Sequence, residues 1–469
     1  MSTGEKNGFD AIVVGAGIAG LGVGAILTRE GGCRVLVVDR YPEIGGRLMS
    51  LAGRPGEGWR VDVGLHMIEM GPKGSCTLLN ERVGQKVEWG PYSQTVQIYK
   101  DGKFQNIADL VPMTAEDRKA FGFLLKTISE LTDAQIEAWD DRSLEEWLRE
   151  KVQSAPVREL FTDFGMIMTT IPESRDMAAG EVLYIARDNL KKVRQALSSS
   201  YPIGGMSALT APLAQVIRDG GGEIRLGSKV DRVIIEDGRA AGVAVETGGH
   251  PYPTEYAIPD CQEVRAGVVV LALPIYQLPA VLDFYSSDSV LPEWWRKRIL
   301  DIQHEVTGLV GYLLGLSRPV VDKLCFLSAL KTPHAGLPFQ AFPASNFDPA
   351  VAPPGKQLLH TDCVAEYAQV ADKFSRRRIL DLLWLDITEM FPGIEEAVEW
   401  KIPYYVAGCD GLARKPGLVG RFKPGLKAPG VDRLYFAGDT YQGRGLATNG
   451  AALSAMHCAD LILAEEKPS

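Results

Sequence analysis

Gly15, Gly17 and Gly20 stand at GxGxxG spacing between a short apolar run, Phe9 to Val14, and a segment with the apolar spacing of a helix, Ile18 to Thr28. In such a turn the first glycine permits the bend, the second lets backbone approach a diphosphate, and the third lets helix pack on strand. The helix amino terminus, with Ile18 and Ala19 in its first turn, then faces the anion. Cys33 to Val38 reads as a second strand. Asp39, 19 positions beyond Gly20, ends it where a carboxylate accepts hydrogen bonds from ribose hydroxyls, with Arg40 beside it. An acid there disfavours a 2′-phosphate, so this chemistry belongs to a dinucleotide without one.

Two further blocks narrow the choice. EIGGR places Gly45 and Gly46 just beyond the second strand, where glycines allow close approach to a diphosphate from another side. Arg47 offers a charge-assisted donor to it, or is simply a surface arginine. Near the far end, LYFAGDTYQGRGLATNG reads as a strand, Leu434 to Ala437, ended by Gly438 and Asp439 and followed by a glycine-rich turn. A helix then starts near Leu446 and Ala447, and its amino terminus is a second anion site. Such a site suits the pyrimidine edge of an isoalloxazine, while Asp439 would accept hydrogen bonds from ribityl hydroxyls. FAD would therefore gather both ends of the chain.

For proton chemistry the residue types to weigh are histidine and tyrosine. Of six histidines, His66 is favoured, because the strand-like segment Trp59 to Val63 delivers Gly64, Leu65 and His66 toward the flavin. Tyr441, just after GDT, is the second candidate. Packing explains either residue equally well.

These residues need elements to hold them. YPIGGM, a helix and three short strands follow Tyr201, and AGVVVLALP, Ala266 to Pro274, is another buried strand. Residues 101–200 are helical in spacing, with Thr114 or Asp117 near one start and a Ser143/Glu146 capping box. Residues 281–404 are mixed, with strand-like VTGLVGYLLGL and QLLHTDCVAEYA and a helix from Arg376 to Met390. The expected architecture is α/β: a discontinuous Rossmann-type FAD domain (1–100, 201–280, 405–469) and a mixed α+β substrate domain built from two insertions, 101–200 and 281–404.

With 469 residues, two or three domains are expected. The apolar fraction of 46% supports a sizeable core. Net charge −9 without a basic tract argues against nucleic acid as a partner. Seven scattered cysteines, with no CxxC and no metal-binding spacing, read as a reduced, cytoplasmic chain without a structural metal. No signal segment or membrane span is visible. Trp294, Trp295 and Arg296 to Arg298 could seat the protein peripherally on anionic lipid, although a solvated helix end is the plainer reading.

The glycine turn with Asp39, GGR, GWRVDVGLHMI, YPIGGMSALTAPLA, the GGEIRLGSKVDRVIIEDGRAAGV segment and LYFAGDTYQGRG together resemble FAD-dependent desaturases of the phytoene desaturase type. These lie within the wider amine oxidase and protoporphyrinogen oxidase superfamily. The resemblance implies that Val230 contacts adenine through its backbone and that Gly64 to His66 border the isoalloxazine. It implies hydride transfer from an apolar or cyclic organic molecule to flavin, with dioxygen, a quinone or another carrier as acceptor. An amine or amino acid oxidase is the alternative. That branch carries a lysine near the flavin and an aromatic cage, for which Lys331, Lys401, Tyr404 and Tyr405 are weak candidates. A prenyl-binding chaperone of the same fold is the remote alternative, since it would not need the intact FAD motifs.

Overall fold

Phe9–Val14 lies at the centre of the first sheet because apolar side chains cover both its faces, as a parallel strand requires. In the computed structural model, which describes residues 8–64, 67–195, 197–247 and 260–466, it pairs in parallel with Val35–Val38 and with Cys261–Leu271. Glu223–Arg225 and Leu434–Phe436 extend the parallel array on either side. The strand Cys261–Leu271 serves two kinds of partner: its second half joins the parallel array, and its first half pairs antiparallel with Arg239–Glu246. Val230–Glu236 completes that antiparallel edge. The helices Ile18–Gly31 and Ala447–Glu465 pack against each other, so the two termini of the nucleotide unit meet.

The second sheet runs in the order Val398–Val406, Thr307–Leu316, Gln357–Glu366, Phe339–Phe342, Cys325–Ala329, Thr95–Lys100 and Lys103–Asn106. Every residue of Thr307–Leu316 is buried, and the helix Lys373–Met390 covers one face through Leu383 and Ile387. Five helices between Ala115 and Lys192 form a separate apolar cluster around Leu124, Ile128, Phe161 and Val182. Two of them begin as expected from local chemistry. Thr114 and Asp117 form one reciprocal cap, and Ser143 and Glu146 another.

Two expected boundaries shift. The cut at residue 100 falls inside the hairpin Thr95–Lys100/Lys103–Asn106, which belongs to the second sheet because Thr95 to Ile98 pair with Cys325 to Ser328. The segment after 281 was expected to leave the nucleotide unit, but Glu293–Ile302 packs onto it: Trp295 stacks on Phe436 with centroids 5.6 Å apart. Burial of Trp295 also divides the WWRKR cluster. Trp294 remains exposed, while Arg296 donates to the carbonyls of Leu291, Phe284 and Ser286. No helix among the described residues is long and apolar enough to cross a membrane.

Candidate cofactor and substrate site

The glycine turn is built by close backbone approach. Gly15 takes φ +111°, and a Cβ there would lie 2.6 Å from the Ala272 carbonyl oxygen. Gly20 serves packing, since a Cβ on it would collide with the Gly15 carbonyl. Gly17 caps the following helix without a side chain, and no acid occupies its first turn. The first N–H groups of that helix therefore face a cavity with no side-chain acceptor from the cap, a fit for a diphosphate.

That cavity, of about 560 Å³, is lined by Gly15, Gly17, Ile18 and Ala19 from the turn and by Asp39 and Arg40 from the second strand. Gly46, Arg47, Val230, Gly438 and Asp439 line it as well, while Gly20, Gly64, Leu446 and Ala447 do not. Asp39 also holds the turn, accepting from the Ala16 N–H at 2.7 Å and the Tyr41 N–H at 2.8 Å. Tyr405, weighed from the sequence as a cage aromatic, lines the same space, as do Tyr276 and Gln277, which carried no motif by which sequence could have singled them out.

Arg47 and Asp439 were expected to reach toward different parts of the cofactor. Instead they pair with each other in bidentate geometry, Nη1 to Oδ2 at 2.7 Å and Nη2 to Oδ1 at 2.8 Å. Arg47 further donates to the carbonyls of Gly408 and Cys409. The pair is half of a cross-brace. Lys423, which no motif marked, lies buried beneath it and donates to the carbonyls of Asp439 and Gly443, and burial lowers its pKa.

A second, smaller cavity of about 140 Å³ adjoins the first, sharing Thr448. Leu446 and Ala447 line this one, at the uncapped start of the helix Ala447–Glu465. Its other walls are largely apolar, from Met67, Ile68, Val96, Ile167, Leu309 and Phe326, with Thr95, Gln340, Glu69 and Asp410 among them.

The structure separates the remaining expected residues. Gly64 takes φ +108° against the Arg47 carbonyl and is not among the cavity-lining residues, while Leu65 and His66 lie outside the described residues. Tyr441 is corrected to a packing residue: it is fully buried, stacks on Phe436, and its hydroxyl donates to the Leu273 carbonyl at 3.0 Å. The DVG and YPIGGM motifs meet at Asp62, whose carboxylate accepts from the hydroxyls of Tyr201 and Ser50 and from the Met206 N–H. Together they form a buried clamp that fixes the strand leading into Gly64.

Among the described residues, the charged side chains that line the smaller cavity are Glu69 and Asp410, with further ion pairs beyond them. Arg414 pairs with both oxygens of Asp410, and Arg444 with Asp140 at 2.6 Å and Glu181 at 3.4 Å. Glu69 stands apart from these ion pairs. Its Oε1 accepts from Asn189, and its Oε2 has no hydrogen-bond partner among the described residues. Burial pushes its pKa up to about 7, against the lowering effects of the Asn189 hydrogen bond and the Arg414 charge. Among the described residues no group of three or more metal-ligating side chains converges.

Comparison with known proteins agrees with this geometry. The chain is 23% identical to the chloroplastic prolycopene isomerase of Daucus carota over 98% of its own length and 81% of that protein's. It is 24% identical to a 4,4'-diapophytoene desaturase (4,4'-diapolycopene-forming) of a Methylomonas species, over 74% of this chain and 72% of that one. Its fold superposes on an oxidoreductase from Methanosarcina mazei with TM-score 0.75 at 22% identity, covering 96% and 99% of the two chains. The family described as flavin containing amine oxidoreductase matches residues 18–463. With both anion-binding helix ends, the Asp39 turn and that match in place, the chain belongs to the flavin-containing amine oxidoreductases and is an FAD-dependent oxidoreductase.

Proposed function

We propose that the protein dehydrogenates a compact apolar or cyclic organic molecule, or one end of a longer apolar one, by passing hydride to FAD. When bound, FAD supplies a two-electron acceptor. The larger cavity would hold most of it, with Gly17 and the following N–H groups at the diphosphate, Asp39 at the adenosine ribose and Val230 at the adenine, while the flavin ring would extend past the shared Thr448 so that its pyrimidine edge meets the start of Ala447–Glu465, which borders the smaller cavity. The observation that carries the reading is the smaller, largely apolar cavity that opens beside this helix start and shares Thr448 with the cofactor space. Its walls exclude water and align the substrate, and its modest size favours a compact reacting group.

The amine oxidase reading has less support. Lys331 and Lys401 are exposed, and Lys401 sits over Trp384 and Tyr312. Tyr404 is buried with its hydroxyl donating to Asp362, whereas Tyr405 lies half-exposed beneath Arg376 at the edge of the larger cavity, so only one of the two faces the cofactor space. The desaturase names of the relatives point the same way. Dioxygen or a quinone is the proposed final acceptor.

Anaerobic titration of the yellow protein with benzylamine, cyclohexanone and squalene separates these readings. Bleaching by the ketone or the polyene supports carbon–carbon dehydrogenation. Bleaching by the amine alone moves the assignment to amine oxidation.

A further inference from the structure

Dehydrogenation removes a hydride and a proton, and among the described residues of the larger cavity the two carboxylates are already engaged, Asp39 by the Ala16 and Tyr41 N–H groups and Asp439 by Arg47. Among the described residues of the smaller cavity the titratable side chains are Glu69, Cys409 and Asp410. Asp410 is committed to Arg414 through both oxygens, and burial drives the Cys409 thiol far above its ordinary range. Glu69 is 6% exposed and has one oxygen held by Asn189. Its other oxygen lacks a hydrogen-bond partner among the described residues, and the backbone N–H of Leu446, itself a cavity residue, approaches the carboxyl and works against the rise in its pKa.

The groups around this carboxyl leave it the freedom to exchange a proton. From the helix Ala179–Lys192 come Asn189, Asp188 and Tyr184; from Ser75–Arg82 comes Cys76; Arg414 approaches from the loop beyond the second sheet. Asn449, on the last helix, donates to the Glu69 backbone carbonyl at 2.8 Å and fixes the residue's position. Burial raises the pKa of both Tyr184 and Cys76, so they stay neutral, while Asp188 opposes the Glu69 charge and Arg414 favours it. Arg414 is already neutralised by Asp410, and Arg444 by Asp140 and Glu181. Among the described residues the Glu69 charge therefore has no counterion of its own, and burial favours its protonated form.

We propose that Glu69 is the proton-exchanging group of the smaller cavity, its carboxylate taking the proton from the substrate atom next to the carbon that gives up hydride. The proposal rests on the dehydrogenation reading above. Two bonds to hydrogen break. One electron pair leaves with hydride to oxidised flavin, the other becomes the new double bond, and the proton forms an O–H bond on the carboxylate. Glu69 then returns that proton to solvent.

The test uses FAD-loaded protein as wild type, Glu69→Gln, Glu69→Asp and His66→Gln. Infrared difference titration across neutral pH follows carboxyl protonation without any substrate. The wild type shows a carboxyl that loses its proton near neutrality, absent from Glu69→Gln, displaced in Glu69→Asp and unchanged in His66→Gln. Stopped-flow bleaching by whichever of benzylamine, cyclohexanone or squalene reacts then falls about a hundredfold or more in Glu69→Gln and loses its dependence on pH near neutrality. Partial recovery in Glu69→Asp completes the expected pattern. An infrared titration that survives Glu69→Gln overturns the proposal, as does a bleaching profile unchanged by that substitution or abolished instead by His66→Gln. Failure of all three compounds to bleach any form counts against the dehydrogenation reading, while the infrared result still decides whether Glu69 exchanges a proton.

Discussion

Glu69 illustrates how burial can set a charge state that no neighbouring sequence announces. Its two fixing contacts come from Asn189 and Asn449, 120 and 380 positions away along the chain, so no local pattern could have marked it. Asp39, by contrast, was legible because its partner turn lies at a fixed short spacing. The raised Glu69 pKa has a consequence for stability. The folded state holds this proton more tightly than the unfolded chain, so stability falls as pH rises from the ordinary carboxylate range through about 7, and the cost is fully present above that. Glu69→Gln removes this cost: relative to wild type it should gain up to about 3 kcal/mol on moving from acidic to mildly alkaline pH. Denaturant unfolding of both proteins at the two pH values measures it, and a constant difference would show that the carboxyl does not titrate in this window.

At the scale of elements, the strand–turn–helix at the start of the chain does two jobs with one set of residues. Asp39 grips the Ala16 N–H while also facing the cavity, and Gly17 keeps the helix start open. Asp39→Ala therefore loosens the turn as well as removing the proposed ribose contact, and Gly17→Val puts a branched side chain at the diphosphate position. Both proteins should fold yet retain little FAD, read as the ratio of flavin to protein absorbance after gel filtration; full yellow colour in either would remove the turn from the cofactor site. Strand and helix identities in this unit followed from apolar runs bounded by glycine, and the capped helices from Thr114 and Ser143. Sheet membership did not follow, because Thr95–Lys100 finds its partner in Cys325–Ala329, and pairing across such a distance leaves no periodic trace. Tyr441 failed as a candidate for a related reason: its position after GDT says where the backbone goes, not which way the ring packs.

For the molecule as a whole, the single dinucleotide fingerprint supports the proposal that the flavin passes its electrons directly to dioxygen, a quinone or another carrier. Anaerobic mixing with NADPH is expected to leave the flavin oxidised over many minutes, followed by its absorbance; rapid bleaching would require a nicotinamide site that the fold does not advertise. The paired Arg47 and Asp439, 392 positions apart, also fix an order of events during biosynthesis. At ribosomal rates the glycine turn and Arg47 wait roughly 20 to 80 seconds for Asp439 to be made. Through that interval the nascent chain holds half a nucleotide cradle and an arginine without its counterion. The nucleotide cradle is therefore complete only after Asp439 has been made, however early its glycine turn emerges.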